Sequence, residues 1–239
     1  MDGEPGQPAA PQLAAAPLDE ITARWGEAGL RGRFAIEIAG QPGPARQRLG
    51  QALDLAARLH AADSRPGEPY LSHLLRVAIR VASHFQVSDA EVICAALLHD
   101  AVEDHAAELS PGGGQQAALA AIGGRFGGRV AGLVGAVTNP PYQPGRDPGE
   151  QYREHVAASL DRHPWARVIK AADFIDNGGG LTRLAGPAAA RLARKYAPLV
   201  PVLAGLVARP DTPLSPPVKA RILGRLDRAA ADFAVILAR

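Results

Sequence analysis

Glu91-Val-Ile-Cys-Ala-Ala-Leu-Leu-His-Asp-Ala-Val-Glu-Asp104 is the stretch that decides how the chain is read. Val92 to Leu98 are all apolar, so a helix here presents apolar surface on almost every side and belongs at the centre of a fold. The pattern predicts one helix over Val92–Val102, opened by a capping box at Ser88-Asp-Ala-Glu91. His99 and Asp100 close the apolar run, and two polar residues there are costly to bury without a partner. Glu103 and Asp104 follow at i+4 from His99 and Asp100, on the same helical faces. Imidazoles and carboxylates so concentrated at the end of a buried helix point to a metal site. The alternative is a hydrogen-bond network at a helix end, with no metal.

Two further polar residues stand out against apolar backgrounds: His73 on the preceding helix, and Asp173 in Val168-Ile-Lys-Ala-Ala-Asp173. Three core helices would each deliver a ligand-type side chain, and imidazoles with carboxylates suit Mn²⁺, Fe²⁺ or Zn²⁺. The other histidines (His60, His84, His105, His155, His163) sit beside polar residues and read as solvated or hydrogen-bonded. Cys94, on the buried helix, reads as a small core hydrophobe.

Around this centre the helical period dominates. A Pro/Ala/Gly/Gln-rich leader, 1–17, reads as disordered. An extension at 18–46 holds a short helix near Leu18–Trp25 and an apolar stretch, Phe34–Ile38, without an assignment. An amphipathic helix starts from Gln47 and stops before the turn-rich Asp63–Pro69, and a second carries Leu71, Leu74, Leu75 and Ile79 inward. A polar, Gly-rich loop spans His105–Gly114; helices at Gln116–Ile122 and Gly127–Val137 lead to a proline-rich loop at Asn139–Gly149. Helices follow at Glu150–Leu160 and Trp165–Asp176. Pro198 and Pro201 should kink or split the apolar Pro187–Ala208, and Ser215 opens a last helix ending near Ala238. No alternating strand pattern persists. The expected fold is all-α, bundle-like, with its main domain at 47–210 and a C-terminal helix packed on it at 211–239.

Composition narrows the function. In 239 residues, 26 Lys+Arg against 24 Asp+Glu give +2, which argues against a nucleic-acid surface. The single cysteine excludes an internal disulfide and a multi-cysteine zinc site. No apolar run approaches the roughly 20 residues of a membrane span, and no signal peptide is evident. Gly 26 and Pro 21 make up about 20% of the chain against a usual value of roughly 12%, an excess lying largely in the leader and loops. The chain reads as a soluble cytoplasmic protein.

Five stretches carry a resemblance to a known family: Ser64-Arg-Pro-Gly-Glu-Pro-Tyr-Leu-Ser-His73, Ala95–Asp104, Phe126–Val130 with Val137-Thr138, Val168–Asp173 with Asn177, and Tyr196-Ala-Pro-Leu199. In order and spacing they resemble the HD phosphohydrolase superfamily, and within it the hydrolase domain of RelA/SpoT-type alarmone enzymes and their small stand-alone homologues. The resemblance implies an HD-domain helical bundle. It also implies that His73, His99, Asp100 and Asp173 ligate a divalent metal, usually Mn²⁺, and that Glu103 and Asp104 position and activate a water. Arg65 would pack on a guanine base, with Asn177, Tyr196 and Lys170 lining the nucleotide pocket. Lys170 also reads equally well as an exposed helix lysine. A cation neutralises phosphoryl oxygens and acidifies a coordinated water, and a carboxylate takes the proton.

The sequence departs from the family at the substrate side. The family's Arg-Lys pair is Arg65-Pro66, the basic residue after the distal Asp is Phe174, and Gly178–Gly180 replaces a side-chain-bearing turn. The proline that usually follows the first histidine is Leu74. Each lost charge-assisted contact is worth about 1.5–3 kcal/mol, enough to redirect substrate choice. The expected function is therefore a Mn²⁺-dependent (p)ppGpp 3′-pyrophosphohydrolase. The alternatives are a phosphatase on another nucleotide, such as a nucleoside monophosphate or NADPH, and a non-catalytic nucleotide-binding module. The expected partner is a small nucleotide, not a nucleic acid or a membrane.

Overall fold

The computed structural model describes residues 8–181 and 186–238. The protein is 77% helical, with thirteen helices and one two-stranded hairpin among the described residues, so the all-α expectation holds. By its internal contacts the chain forms two compact units, residues 1–131 and 132–239.

The first unit contains α1 (Ala10–Ala15), α2 (Leu18–Glu37), α3 (Gly43–Leu59), β1 (Ser64–Arg65), β2 (Glu68–Pro69), α4 (Tyr70–Ile79), α5 (Ala90–Leu97), α6 (Ala101–Leu109) and α7 (Gly114–Phe126). Helix α4 sits between α2 and α5, α3 packs on α5, and α6 packs on α7. Leu74, Leu75 and Ile79 of α4 and Ile93 and Leu97 of α5 are buried together with Leu49, Leu55, Leu30 and Phe34. The leader is ordered where described. Leu13 of α1 is buried, and the buried Arg33 donates to the Leu13 and Ala16 carbonyls at 2.7 and 3.0 Å. One arginine thus satisfies carbonyls that a short helix leaves open at its end. Composition pointed to disorder because a single leucine was all the apolar content that the docking needed. Residues 1–7 lie outside the described residues.

Other sequence expectations shift for local reasons. The extension is one helix, α2, kinked at Gly26, whose φ of 56° a side-chain-bearing residue adopts only at a cost. Helix α5 is capped one residue later than the expected Ser88. Its cap is Asp89, whose carboxylate accepts the Glu91 N–H at 3.0 Å and is clamped by Arg129 at 2.7 Å. The expected single helix Val92–Val102 is broken: α5 stops at Leu97, the chain turns through Leu98-His99-Asp100, and α6 begins at Ala101. Helix α6 then runs through the expected polar loop to Leu109, irregular at His105 (φ −129°, ψ 32°). A hairpin too short to show an alternating pattern pairs Ser64 with Pro69 and Arg65 with Glu68. Pro66-Gly67 forms its turn, with Gly67 at φ 81°, the geometry a type II turn requires.

Helix α8 (Gly128–Val137) leads into the second unit, built from α9 (Pro148–Arg162), α10 (Pro164–Leu181), α11 (Gly186–Tyr196), α12 (Leu199–Ala208) and α13 (Pro216–Leu237). Pro198 separates α11 from α12, as its missing N–H and fixed φ require. Pro201 is accommodated in the first turn of α12, where no N–H partner is needed. Helix α13 packs on α10, α11 and α12. Arg167 of α10 is fully buried and donates to the Leu160 and Asp161 carbonyls, to Asp211 and to Thr212. No described helix is long and apolar enough to cross a membrane.

Candidate metal centre

The centre of the first unit is made by a break in a helix. The apolar run ends in a turn, and His99 and Asp100 occupy that turn instead of a helix face. His99 Nδ1 lies 2.9 Å from the Ala96 carbonyl, a contact that places the ring proton on Nδ1 and leaves the Nε2 lone pair available. That Nε2 is 3.0 Å from Asp100 Oδ2, and His73 Nε2, from α4, reaches the same oxygen at 3.6 Å. The two imidazoles meet edge to face with centroids 5.2 Å apart. His73 is fully buried, and His99 is 2% exposed. Two Nε2 atoms and a carboxylate oxygen, converging between buried helices with a tautomer fixed from behind, fit the donor set of a divalent cation.

Tyr70 belongs to this corner, and sequence reading missed it. It lies three residues before His73, on the same side of α4, and its hydroxyl donates to Asp100 Oδ2 at 2.8 Å. Burial and the Asp100 charge push the phenol well above its ordinary range, so it remains a donor. The spacing of Tyr70 and His73 along one helix was the available signal.

Glu103 and Asp104 stand in the first turn of α6, where acidic side chains suit the helix N-terminus. The Asp104 N–H bonds the Asp100 carbonyl at 3.0 Å, so the acidic pair begins one turn after His99-Asp100 even though the helix is broken after Leu97. Partial desolvation, then the charges of Asp100 and Glu103, push the Asp104 carboxyl up to about 6. A carboxylate with a raised pKa is a better proton acceptor near neutrality than an ordinary one.

In the second unit Asp173 is 5% exposed on α10. Lys170 Nζ lies 2.9 Å from its Oδ2, and Asn177 Nδ2 donates to its Oδ1 at 2.6 Å. Lys170 is therefore a buried ion-pair partner and not an exposed helix lysine. Phe174 is buried, packed edge-on against Tyr196 and Phe233 with centroids 5.8 and 6.1 Å apart. A basic residue at that position would bury a charge in an aromatic cluster. Of the glycine run, Gly178 faces Phe233 and Ala229, so this residue serves helix packing. On the hairpin of the first unit, the Arg65 guanidinium lies 4.9 Å over the Tyr70 ring. In the first unit His73, His99 and Asp100 come together, with Glu103 and Asp104 one turn on. Asp173, Lys170 and Asn177 gather in the second, with Tyr196 against Phe174.

His60, His105 and Asp63 form a second cluster, unforeseen from sequence. Of the two expected states, solvated or hydrogen-bonded, His60 takes the second: it is buried, and its Nδ1 is 2.8 Å from Asp63 Oδ2. His105 Nε2 reaches the same oxygen at 2.7 Å from 42 residues away.

Comparison with known proteins agrees with this picture. Residues 52–144 match the family model for the HD domain. The structure of a metazoan ortholog of SpoT that hydrolyses ppGpp is similar with a TM-score of 0.60 and 24% identity, over 77% of this chain and 94% of that one. No curated protein matches the chain in sequence. The family match contains His73, His99, Asp100, Glu103 and Asp104, and the fold likeness extends over most of the chain. Residues 52–144 thus resemble an HD domain, within a helical fold similar to that of the metazoan SpoT ortholog.

Proposed function

We propose that the chain is a metal-dependent phosphohydrolase that removes pyrophosphate from the 3′ position of (p)ppGpp, acting in the cytoplasm. The observation that carries this reading is the corner of His73, His99 and Asp100, backed by Ala96 and Tyr70, with Glu103 and Asp104 one turn on. Asp173 is the fourth ligand in this reading, supported by the family resemblance and by its burial in α10. These residues would hold a divalent cation, Mn²⁺ in this proposal, which when bound would supply charge to polarise a phosphoryl oxygen and acidify a water.

The chain's own groups do the rest. Tyr70 holds Asp100 in place through its hydroxyl, and the Ala96 carbonyl orients His99. Glu103 and Asp104 orient the attacking water and accept its proton, with the raised Asp104 carboxyl suited to the transfer. Arg65, from the hairpin turn, offers a planar cation for a base to stack on. Lys170, Asn177 and Tyr196 line the nucleotide side, Lys170 and Asn177 also fixing the Asp173 carboxylate.

One observation favours a second reading. Phe174 is locked into an aromatic cluster and Asp176 is buried, while Pro66 stands beside Arg65, so the nucleotide side is poor in cations. A less highly charged nucleotide, such as a nucleoside monophosphate or NADPH, would then be the substrate and orthophosphate the product. Turnover of a nucleotide panel with Mn²⁺, read separately as pyrophosphate and orthophosphate release, decides between them. Pyrophosphate from ppGpp is expected; orthophosphate from a monoester instead would establish the second reading, and silence across the panel would refute both.

A further inference from the structure

The cluster of His60, Asp63 and His105 lies wholly in the first unit and shares no residue with the corner. Its candidate donor atoms lie within 4.8 Å of one another. His60, just past the last turn of α3, and Asp63 are three residues apart, and His105 comes from the irregular middle of α6. Both imidazoles aim a nitrogen at one carboxylate oxygen, at 2.8 and 2.7 Å.

The proton count at His105 is the informative feature. Its Nε2 faces Asp63, and its Nδ1 faces Glu108 Oε1 at 3.2 Å. A neutral imidazole has one N–H and can serve only one of these carboxylates. Without a cation the ring takes a second proton, because against the opposing effect of burial its hydrogen bonds to Asp63 and Glu108 raise its pKa; with a cation at Nε2, the Nδ1–H is kept for Glu108. The second arrangement is the usual one for a metal-bound histidine, whose outer nitrogen donates to a carboxylate. Burial lowers the affinity of His60 for a proton, which favours the neutral form a metal binds, and the two imidazoles keep Asp63 ionised.

We propose that His60, Asp63 and His105 form a second divalent-metal site, of the two-imidazole, one-carboxylate type that takes Zn²⁺ in tetrahedral geometry with a fourth position open to water. The half-exposed Asp63 provides the entry path. The ion fastens the end of α3 to α6, the helix that carries Glu103 and Asp104. It exchanges with the protons of the imidazoles and needs no residue of the corner.

The test is metal stoichiometry of the full chain, stripped with chelator and titrated with Zn²⁺, and with Co²⁺ to report coordination number through its visible absorption. Wild type should bind one equivalent more than His105→Gln, and that equivalent should give an intense four-coordinate Co²⁺ spectrum. In Asp100→Asn, which breaks the corner, this equivalent and its spectrum should remain; in Asp100→Asn/His105→Gln they should vanish. Thermal melts provide the control for folding, since Zn²⁺ should raise the Tm of Asp100→Asn and leave that of the double variant unmoved. Equal uptake by wild type and His105→Gln overturns the site, whatever the corner binds. Loss of all metal in Asp100→Asn with the fold intact overturns it as well. Uptake unchanged by Asp100→Asn would count against the corner alone, so the two readings fail separately.

Discussion

The corner and the outer cluster use the same side-chain types and differ in what surrounds them. At the corner the imidazoles of His73 and His99 are at most 2% exposed, Asp100 is 20% exposed, and the chain on either side is Leu74, Leu75, Leu97 and Leu98. At the outer cluster Asp63 is 35% exposed and Glu108 58%. A buried nitrogen or carboxylate has no water to replace a lost partner, so leaving one unsatisfied costs about 1–3 kcal/mol. Asp63 and Glu108 can exchange a missing partner for solvent, although the buried His60 cannot. The corner is therefore the place where one deletion has no substitute, and the outer cluster the place where the same chemistry is held more loosely.

The largest expected effect tests that ranking. His99→Ala should abolish turnover and the corner's share of bound metal, while His105→Gln should lower turnover by a smaller factor. Activity of both on the best substrate, with metal content measured alongside, makes the check, and equal losses would break the comparison. Next comes Glu103→Ala, which in the proposed mechanism removes a base and no ligand. It should lower kcat by about 10²–10⁴-fold at unchanged metal content. If metal is lost with it, Glu103 is a ligand and its role here is wrong.

How much of this was legible in the sequence follows from the same contrast. His99-Asp100 could be found because two polar residues interrupt an apolar run, and interruption of a run is visible locally. His73 and Asp173 were visible for the same reason. His60, Asp63 and His105 interrupt no long apolar run, so nothing local marks them; they meet through the packing of α3 and α6 and the distortion at His105. The break after Leu97 was illegible too, because apolar content supports a helix on both sides of it. Tyr70 lay between the two cases, readable only once His73 had been fixed as its neighbour one turn on.

Tyr70 also sharpens the comparison at smaller scale. Its hydroxyl is a hydrogen-bond donor to a proposed ligand, and loss of such a partner typically costs 10–100-fold in metal affinity, about that range being expected for Tyr70→Phe. The fold should survive, because the ring keeps its stacking on His60, 4.8 Å away. A competition titration against a chromophoric chelator reads the change, and affinity equal to wild type would remove Tyr70 from the site.

The smallest expected effect is a pair of titrations that run in opposite directions. In the cation-free protein, Asp104 is raised from 3.8 to about 6, first by partial desolvation and then by the charges of Asp100 and Glu103. Asp63 moves below its ordinary value, chiefly because His105 donates to it. The folded chain thus holds a proton on Asp104 more tightly than the unfolded chain does. Asp104 therefore disfavours folding increasingly as pH rises from about 4 to about 6. Asp63 acts the other way, contributing stability above its unfolded pKa that is lost as pH falls through its lowered folded value. Carboxyl ¹³C shifts of the apo protein should show the Asp104 midpoint near 6 and the Asp63 midpoint below 3.8. Loading the corner with diamagnetic Zn²⁺ or Mg²⁺ should pull the Asp104 midpoint down, because a cation beside Asp100 cancels the part of the shift that its charge adds to desolvation. An apo Asp104 midpoint at the ordinary value would mean that the acidic turn feels neither the burial nor the Asp100 charge, and the proton-accepting role proposed for it would lose its electrostatic basis.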